Sequence, residues 1–584
     1  MLARRFSTGR WTETFGRSSN SRCERAGANA QSACDPGDLR GGLACMKNDK
    51  LCVSDFISYL VPRWARGFQP NWPADVFAIS AALLHKSGAY SDVVMGNWPP
   101  TGGQRAWVGR IKALGDDWRE RAAKDKRAPD EIQEWWAVVK QAARVPLEEL
   151  VSRPKICRAL IQLCAAADEA SWDLGLPSKR LDPFEYEGLR LLDPDREGGS
   201  TLCRRIDPSR CRVLPKMHTP QNGLTLRSLS NNLALCYSGD LEPRWTVLPN
   251  SLKLTRRVNL LVIPWPFDIK PRQFHPARLR RELRRNLGTG FGFFDFEPAS
   301  AAELKKCVGD LVDAANDTVG PVHGVILPEL AVTEADYQSV REEALRRATF
   351  LISGVHKPAA AEFFGNNQVR FDIKLRDSST KDPWVVEVRP QDKHHRWLLD
   401  EGQILQYGLG GCLDPTVRWW EKIQVGSRQL NFVALGDWLS VCVLICEDLA
   451  RQDPVADVVR SVGPNLVIAL LMDGPQLKER WPARYATVLA DDPGSSVLSL
   501  TSLGMVQLSR PPGKEPSRVV ALWKDALNPS AVQIELPRDH QGIVLSLSVK
   551  YVEEFSADGR SDGGNAGYPV LSGIHPVAWS TGSP

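Results

Sequence analysis

The chain has 584 residues, and its hydrophobic fraction of 43% and charged fraction of 24% are those of a globular protein. At roughly 100–200 residues per domain, this length predicts about two to four domains. The net charge of +5, from 74 basic and 69 acidic residues, is too small an excess to favour binding to nucleic acid or to a membrane surface.

The 13 cysteines are an odd number and are scattered without the spacing of a disulfide framework. The pairs Cys157/Cys164 and Cys203/Cys211 both lack the C-x2-C spacing of a zinc site. We therefore expect free thiols in a reducing, cytoplasmic compartment and no bound metal. The longest apolar run, residues 466–472, is as long as a strand and far shorter than the ~20 residues that span a bilayer, so no membrane segment is predicted.

Residues 1–50 are polar, rich in Gly, Ser and Arg, and show no periodicity, which predicts a low-order N-terminal segment. Their arginines and serines faintly resemble an organelle transit peptide. A disordered or mis-assigned translation start is the preferred interpretation, so whether these residues belong to the native protein stays open.

Residues 51–175 are predicted to form a mainly helical accessory region. Apolar residues recur at helical spacing in residues 75–85, 130–143 and 154–167. We expect Trp135 and Trp136, which lie on one of these apolar stripes, to pack in a core rather than to bind a ligand. The role of this region is not evident from its sequence; it could contact a protein partner.

Near residue 256 the pattern changes to that of an α/β protein. Short, nearly continuous apolar runs alternate with helical segments, which predicts a layered α/β domain over residues 256–560. Residues 176–255 are interpreted as a connector and residues 561–584 as a C-terminal tail. Strands are predicted at residues 258–264, 324–327, 350–355, 369–375, 384–388, 438–445, 466–471, 497–501 and 542–549, and helices at residues 334–347 and 454–461.

Three segments each place a reactive side chain at or just past the end of an apolar strand. They are HGVILPELA with Glu329, VVEVRPQDKHHRW with Lys393, and LSVCVLICEDLAR with Cys446. Strand ends are where α/β sheets place their sites, because the sheet is rigid and the loops there are exposed. Taken singly, each residue has a simpler interpretation as a turn cap, a solvated lysine or an inert core thiol.

Together and in this order, the three segments resemble those of the nitrilase superfamily of carbon–nitrogen hydrolases. The gaps of 64 residues from Glu329 to Lys393 and 53 residues from Lys393 to Cys446 suit that family. The resemblance covers about residues 258–554. It implies a nitrilase-like α-β-β-α sandwich that pairs into homo-oligomers, with the helical region beside it.

The resemblance also implies roles for the three residues. Cys446 would be the nucleophile, Glu329 the general base and Lys393 the oxyanion stabiliser. The positive end of a helix after Cys446 would favour its thiolate. The reaction implied is hydrolysis of a non-peptide carbon–nitrogen bond, amide rather than nitrile, through a thioester and without a cofactor or metal.

Three further residues are candidates for supporting roles. Glu401 is the nearest candidate for the second glutamate that many family members place near the lysine, although its spacing is short. The backbone N–H of Glu447 could join Lys393 at the oxyanion. His394 could line the pocket or lie at the surface; both interpretations stay open.

Other functions are compatible with the same sequence patterns. The domain could be a catalytically silent scaffold or sensor, since large nitrilase-like domains resemble those that accompany bacterial reverse transcriptases and defence loci. A nucleic-acid role for the arginine-rich residues 272–285 is the least favoured. Residues 400–430 are interpreted as an insertion that serves as a lid or an oligomer contact. The small-molecule substrate, an amide or nitrile, cannot be identified from these patterns.

Overall fold

The computed structural model describes residues 51–63, 67–91, 103–176, 181–193, 195–196, 199–218, 225–237, 241–248, 256–298, 300–358, 362–375, 383–426, 428–509 and 515–579. The low-order segment predicted for residues 1–50 lies outside this part of the chain. Within it, no helix combines the length and the apolar character needed to cross a bilayer.

The N-terminal part of the described chain is helical. Its helices are α1 (Val53–Leu60), α2 (Pro73–Ser87), α3 (Gln104–Ala123), α4 (Asp130–Gln141), α5 (Pro154–Ala170) and α6 (Pro183–Leu192). Helices α2, α5 and α6 begin with proline, whose missing N–H costs nothing in a first turn. Helix α5 packs against α2, α3 and α4, and Trp135 and Trp136 are buried. The predicted helices, and the core position of both tryptophans, are confirmed.

Residues 199–248, expected to belong to a connector, contain regular structure. Strands β1 (Arg212–Pro215) and β2 (Leu233–Cys236) pair antiparallel, and β3 (Glu242–Leu248) becomes the edge strand of a large sheet. The sheet therefore begins before residue 256. Strands β1 and β2 have four residues each, which is too short for an alternating apolar pattern to reveal them in the sequence.

The strands after residue 256 are β4 (Arg257–Val262), β5 (Phe274–Pro276), β6 (Phe291–Phe296), β7 (Gly324–Ile326), β8 (Val332–Thr333), β9 (Phe350–Lys357), β10 (Asn366–Leu375), β11 (Trp384–Asp392), β12 (Leu398–Leu399), β13 (Arg418–Glu421), β14 (Gln429–Leu435), β15 (Leu439–Ile445), β16 (Leu466–Leu471), β17 (Ser496–Thr501), β18 (Val519–Lys524), β19 (Val532–Glu535), β20 (Gly542–Val552) and β21 (Ala566–Val577). The helices are α7 (Arg281–Asn286), α8 (Ala302–Val319), α9 (Glu334–Arg347), α10 (Glu401–Gln406), α11 (Glu447–Ala450), α12 (Asp457–Val462), α13 (Trp481–Asp491) and α14 (Leu503–Leu508). Every strand predicted from an apolar run is present.

Two large sheets form the centre of the described chain. The first has the order β11-β10-β9-β7-β4-β20-β21, with β8 paired to β9, and the second has the order β19-β18-β17-β16-β15-β14-β3. Strands β15, β16 and β17 are parallel, and all residues of β15 are buried, as expected of a strand covered on both faces. Residues 561–584, expected to be a tail, instead supply β21, which pairs with β20 along its length.

The two sheets pack face to face between helical layers. Strand β10 contacts β15, and β11 contacts β14, across the interface between the sheets. Helices α8 and α9 cover the outer face of the first sheet through residues such as Leu304, Leu311 and Val340. Helix α13 covers β17 and β18 of the second sheet. The predicted four-layer α-β-β-α sandwich is confirmed.

A small sheet of order β12-β13-β6-β5 lies beside the sandwich. It is built partly from residues 400–430, the predicted insertion. Its aromatic core joins Trp397 and Tyr407 to Leu330, Met472 and Met505, which belong to the ends of the large sheets. The insertion thus packs against the edge of the sandwich where the three reactive segments end.

Candidate active site

Cys446 occupies a sharp turn between strand β15 and helix α11. Its backbone lies at φ 47° and ψ −108°, a strained conformation for a residue with a side chain. The turn is anchored by the backbone N–H of Cys446, which donates to the carbonyl of Leu470 on β16 at 2.9 Å. A fold tolerates such backbone strain where the surrounding structure must hold one side chain in a fixed direction.

Glu329 follows strand β7 of the first sheet and is buried. Its Oε1 accepts hydrogen bonds from Lys393 Nζ at 2.8 Å and from Asn367 Nδ2 at 2.7 Å. Among the residues that the structure describes, no group hydrogen-bonds to its Oε2. One carboxylate oxygen is therefore held in place and the other is open to a reacting group.

Gly354 on β9 allows the backbone of the Glu329 segment to approach the sheet. Its N–H donates to the carbonyl of Pro328 at 3.1 Å. A Cβ on Gly354 would lie 2.5 Å from Glu329 Cα and 2.6 Å from the backbone nitrogen of Leu330. Only glycine fits here, so the position of Glu329 depends on the absence of a side chain at residue 354.

Lys393 follows strand β11 and is fully buried. Its ammonium donates to Glu329 at 2.8 Å and to Glu421 Oε2 at 2.7 Å. A buried ammonium is stable only when it is paired, and two carboxylates satisfy that need here. Within the described residues this leaves one of its three N–H donors for another acceptor.

Glu421, at the end of β13, was missed from the sequence. Its Oε1 accepts from Asn367 Nδ2 at 2.8 Å, and its Oε2 accepts from Lys393 and from the backbone N–H of Trp397 at 3.1 Å. The predicted second glutamate, Glu401, is instead exposed in the first turn of α10. That prediction is corrected: β13 carries its acid to the lysine, whereas α10 turns Glu401 outward. The only sequence signal was an acid ending the aromatic strand Trp419–Trp420.

The electrostatics of this cluster define its resting protonation. Burial raises the pKa of Glu329, and the charge of Lys393 opposes this shift. Burial disfavours the charge on Lys393, but Glu329 and Glu421 outweigh it and hold the pKa of Lys393 well above its usual value. Burial, followed by the charge of Glu329, raises the pKa of Cys446, while Lys393 lowers it. A neutral thiol beside a charged amine results.

The helix after Cys446 does not produce the predicted thiolate. Helix α11 has only four residues, so its dipole is small. Loss of water around Cys446, whose exposed fraction is 3%, dominates instead. The thiol therefore needs a base to take its proton.

Asp448 ties the nucleophile turn to the lysine loop. Its buried carboxylate accepts from the backbone N–H of His394 at 3.1 Å and pairs with His395 Nδ1 at 2.9 Å. His394 is buried, and its Nε2 contacts the carbonyl of Gln429 at 2.9 Å. Because His394 is buried, the surface interpretation is wrong, and its place in the pocket stays a prediction.

Glu447 is the first residue of α11, and its side chain accepts from Arg451 at 2.9 Å. Its backbone N–H is one of those that a helix start leaves without an intrahelical partner. The predicted contribution of this N–H to an oxyanion site stays a prediction.

The ten cysteines in the described ranges are free thiols. In those same ranges, no group of three or more His, Cys, Asp and Glu side chains is arranged to hold a metal ion.

No protein-family model and no curated protein matches the chain. Its neighbours among solved structures are proteins of the nitrilase superfamily. An amidase from this superfamily, from Nesterenkonia AN1, is 11% identical with a TM-score of 0.30, over 50% of this chain and 90% of its own. Nit3 of Saccharomyces cerevisiae is 10% identical with a TM-score of 0.30, over 50% and 91%. A CN-hydrolase superfamily protein from Xanthomonas campestris is 13% identical with a TM-score of 0.25, over 46% and 90%.

Proposed function

We propose that the chain hydrolyses a non-peptide carbon–nitrogen bond, an amide rather than a nitrile, with Cys446 as nucleophile. The observation that carries the proposal is the buried Glu329–Lys393–Glu421 network, in which the charges of Glu329 and Lys393 act on the pKa of Cys446 at its strained turn. Paired carboxylates around a buried amine, next to a neutral thiol, supply a base, a fixed positive charge and a nucleophile in one place.

The first half of the reaction forms a thioester. Glu329 Oε2 takes the proton from the Cys446 thiol as its sulfur bonds to the amide carbon, and the carbonyl oxygen becomes an oxyanion. The remaining N–H of Lys393, together with the backbone N–H of Glu447, donates to that oxyanion. When the intermediate collapses, the carbon–nitrogen bond breaks and the leaving amine takes the proton from Glu329.

The second half regenerates the enzyme. Glu329 removes a proton from a water molecule, which attacks the thioester carbon and releases the carboxylic acid. The sulfur leaves and recovers its proton from Glu329. An amide is favoured over a nitrile because its amine must be protonated to leave, and a carboxyl group whose pKa is raised by burial takes up the thiol proton and holds it until the amine departs. Glu421 takes no proton and holds the ammonium of Lys393 in place.

The test is an ammonia-release screen over amides, nitriles and carbamoyl compounds with the full chain. We expect ammonia from an amide with the native protein and background levels with Cys446→Ala. The matched control is Cys442→Ala, which removes a buried thiol four positions earlier on the same strand and should retain activity. Equal activity in the Cys446→Ala variant would end the proposal.

The alternative of a catalytically silent scaffold or sensor is favoured by one observation: Cys446 is almost inaccessible, with 3% of its surface exposed. Labelling with iodoacetamide separates the two functions. In an active site that admits substrate, Cys446 reacts faster than the other thiols. A silent scaffold leaves it as inert as Cys442.

A further inference from the structure

A cavity of about 890 Å³ opens beside the proposed catalytic cluster. Its walls come from the loops after β4 and β16, from helix α14 and from the insertion, with Ile269, Tyr407, Arg480 and Leu508 among the residues that line it. Cys446 is not among them. What stands between this cavity and the thiol therefore decides which substrates can react.

Asp473 connects the cavity wall to the sheet edge that carries Cys446. It follows β16, the parallel neighbour of β15, so it emerges at the same sheet edge as Cys446. Its Oδ1 accepts from Tyr407 Oη at 2.8 Å and from Arg480 Nη2 at 2.6 Å, and both donors line the cavity. The charge of Asp473 also acts on the thiol of Cys446.

The second carboxylate oxygen of Asp473 is buried, and no group in the described part of the chain hydrogen-bonds to it. The residue itself is rigidly held, because its N–H donates to Thr501 Oγ1 at 3.2 Å and its carbonyl accepts from the same hydroxyl at 2.6 Å. A buried carboxylate oxygen without a donor is costly, and a ligand donor placed there removes that cost.

The balance of charge around the cluster selects the kind of donor. In the two ion-paired groups, Glu329–Lys393–Glu421 and Asp473–Arg480, three carboxylates face two cations, and each cation is already bound to a carboxylate. An anionic substrate would add a fourth negative charge to this buried set. A cationic donor would instead balance the excess negative charge of this set.

We infer that Asp473 is a specificity residue, which binds an amino group on the amide substrate and rejects a carboxylate there. This inference rests on the proposed amide hydrolysis at Cys446. Ile445 pairs with Leu470, so Cys446 lies one position and Asp473 three positions beyond that pair, at the ends of neighbouring parallel strands, which favours a short spacer between the amine and the carbonyl. The substrate class is a short aminoalkyl amide.

Turnover tests this with three amides of similar size: 3-aminopropanamide, butanamide and succinamic acid, which end in an amine, a methyl group and a carboxylate. We expect kcat/KM for 3-aminopropanamide to exceed that for butanamide at least about tenfold, with succinamic acid slowest. An equal or reversed order overturns the inference and leaves amide hydrolysis standing. If the protein hydrolyses none of the three amides and no other amide, the result counts against the proposed function.

Labelling tests the same inference without turnover. The rates at which 2-aminoethyl and 2-sulfonatoethyl methanethiosulfonate modify Cys446 are measured by peptide mapping. Each rate is divided by the rate at which the same reagent reacts with 2-mercaptoethanol. We expect the cationic reagent to be favoured at least about tenfold in the native protein, and Asp473→Asn to abolish most of that preference. Glu479→Gln removes an exposed carboxylate from the same segment and should keep it.

Each outcome of the labelling experiment either supports or overturns the inference. A preference for the anionic reagent, or none, overturns the inference, as does a cationic preference that survives in Asp473→Asn. Failure of both reagents to reach Cys446 also overturns it, because no path then joins the cavity to the thiol.

Discussion

Replacing Gly354 with alanine tests whether the sheet positions the proposed general base. The added Cβ would lie 2.5 Å from Glu329 Cα and 2.6 Å from the nitrogen of Leu330, whereas ordinary contact begins at 3.4 Å. The obstructing atoms are backbone and cannot rotate away, so the Glu329 segment must retreat by roughly 1 Å. Its hydrogen bonds to Lys393 and Asn367, now 2.8 and 2.7 Å, would then be stretched or broken.

The magnitudes follow from this displacement. Overpacking of this kind costs about 1–3 kcal/mol of unfolding free energy, and the upper end applies to an immovable backbone. A 1 Å misplacement of a catalytic group costs about 100-fold in rate. We therefore expect Gly354→Ala to lose about 2–3 kcal/mol in urea unfolding and about 100-fold in kcat/KM for ammonia release.

Gly109→Ala is the matched control. Gly109 is exposed within α3, and a Cβ there meets nothing within 4 Å. Helix propensity predicts a gain of about 0.5–1 kcal/mol and native activity. If Gly354→Ala were to keep its stability within about 0.5 kcal/mol and its activity within about twofold of native, the argument that this glycine positions Glu329 would be refuted.

Two further predictions concern Glu421 and Asp448, which contact the Lys393 side chain and the loop that follows it. Burial and the charge of Glu421 raise the pKa of Glu329, so Glu421→Gln should lower that pKa and move the acid limb of the pH–rate profile to lower pH. Glu401→Gln, an exposed control, should leave the limb in place. Asp448→Asn weakens charged hydrogen bonds to His394 and His395, so urea unfolding should show a loss of about 1.5–3 kcal/mol and kcat should fall. An unmoved acid limb, or an unchanged stability, would contradict these assignments.

Local patterns in the sequence located strands and helices of the sandwich, whereas its four layers were implied by the family resemblance. The run Leu439–Ile445 is apolar throughout and forms a strand buried on both faces, while helices α4 and α5 follow from apolar residues at helical spacing. Where such runs ended in Glu329, Lys393 and Cys446, their position together with the resemblance to the nitrilase superfamily singled out these residues as candidates. Two strands of four residues and one longer strand were missed: β1 and β2 were assigned to a connector, and β21 to a tail.

The sequence by itself therefore determined which strands end in reactive side chains, because burial of an apolar run is a local property. Only the tertiary structure decided which distant groups meet them. Glu421 rather than Glu401 reaches Lys393 because β13 pairs with β6 and brings its last residue inward, and Asp473 emerges at the same sheet edge as Cys446 because β16 pairs with β15. Strand pairing joins residues far apart in the chain, and no local spacing encodes which pairs will form.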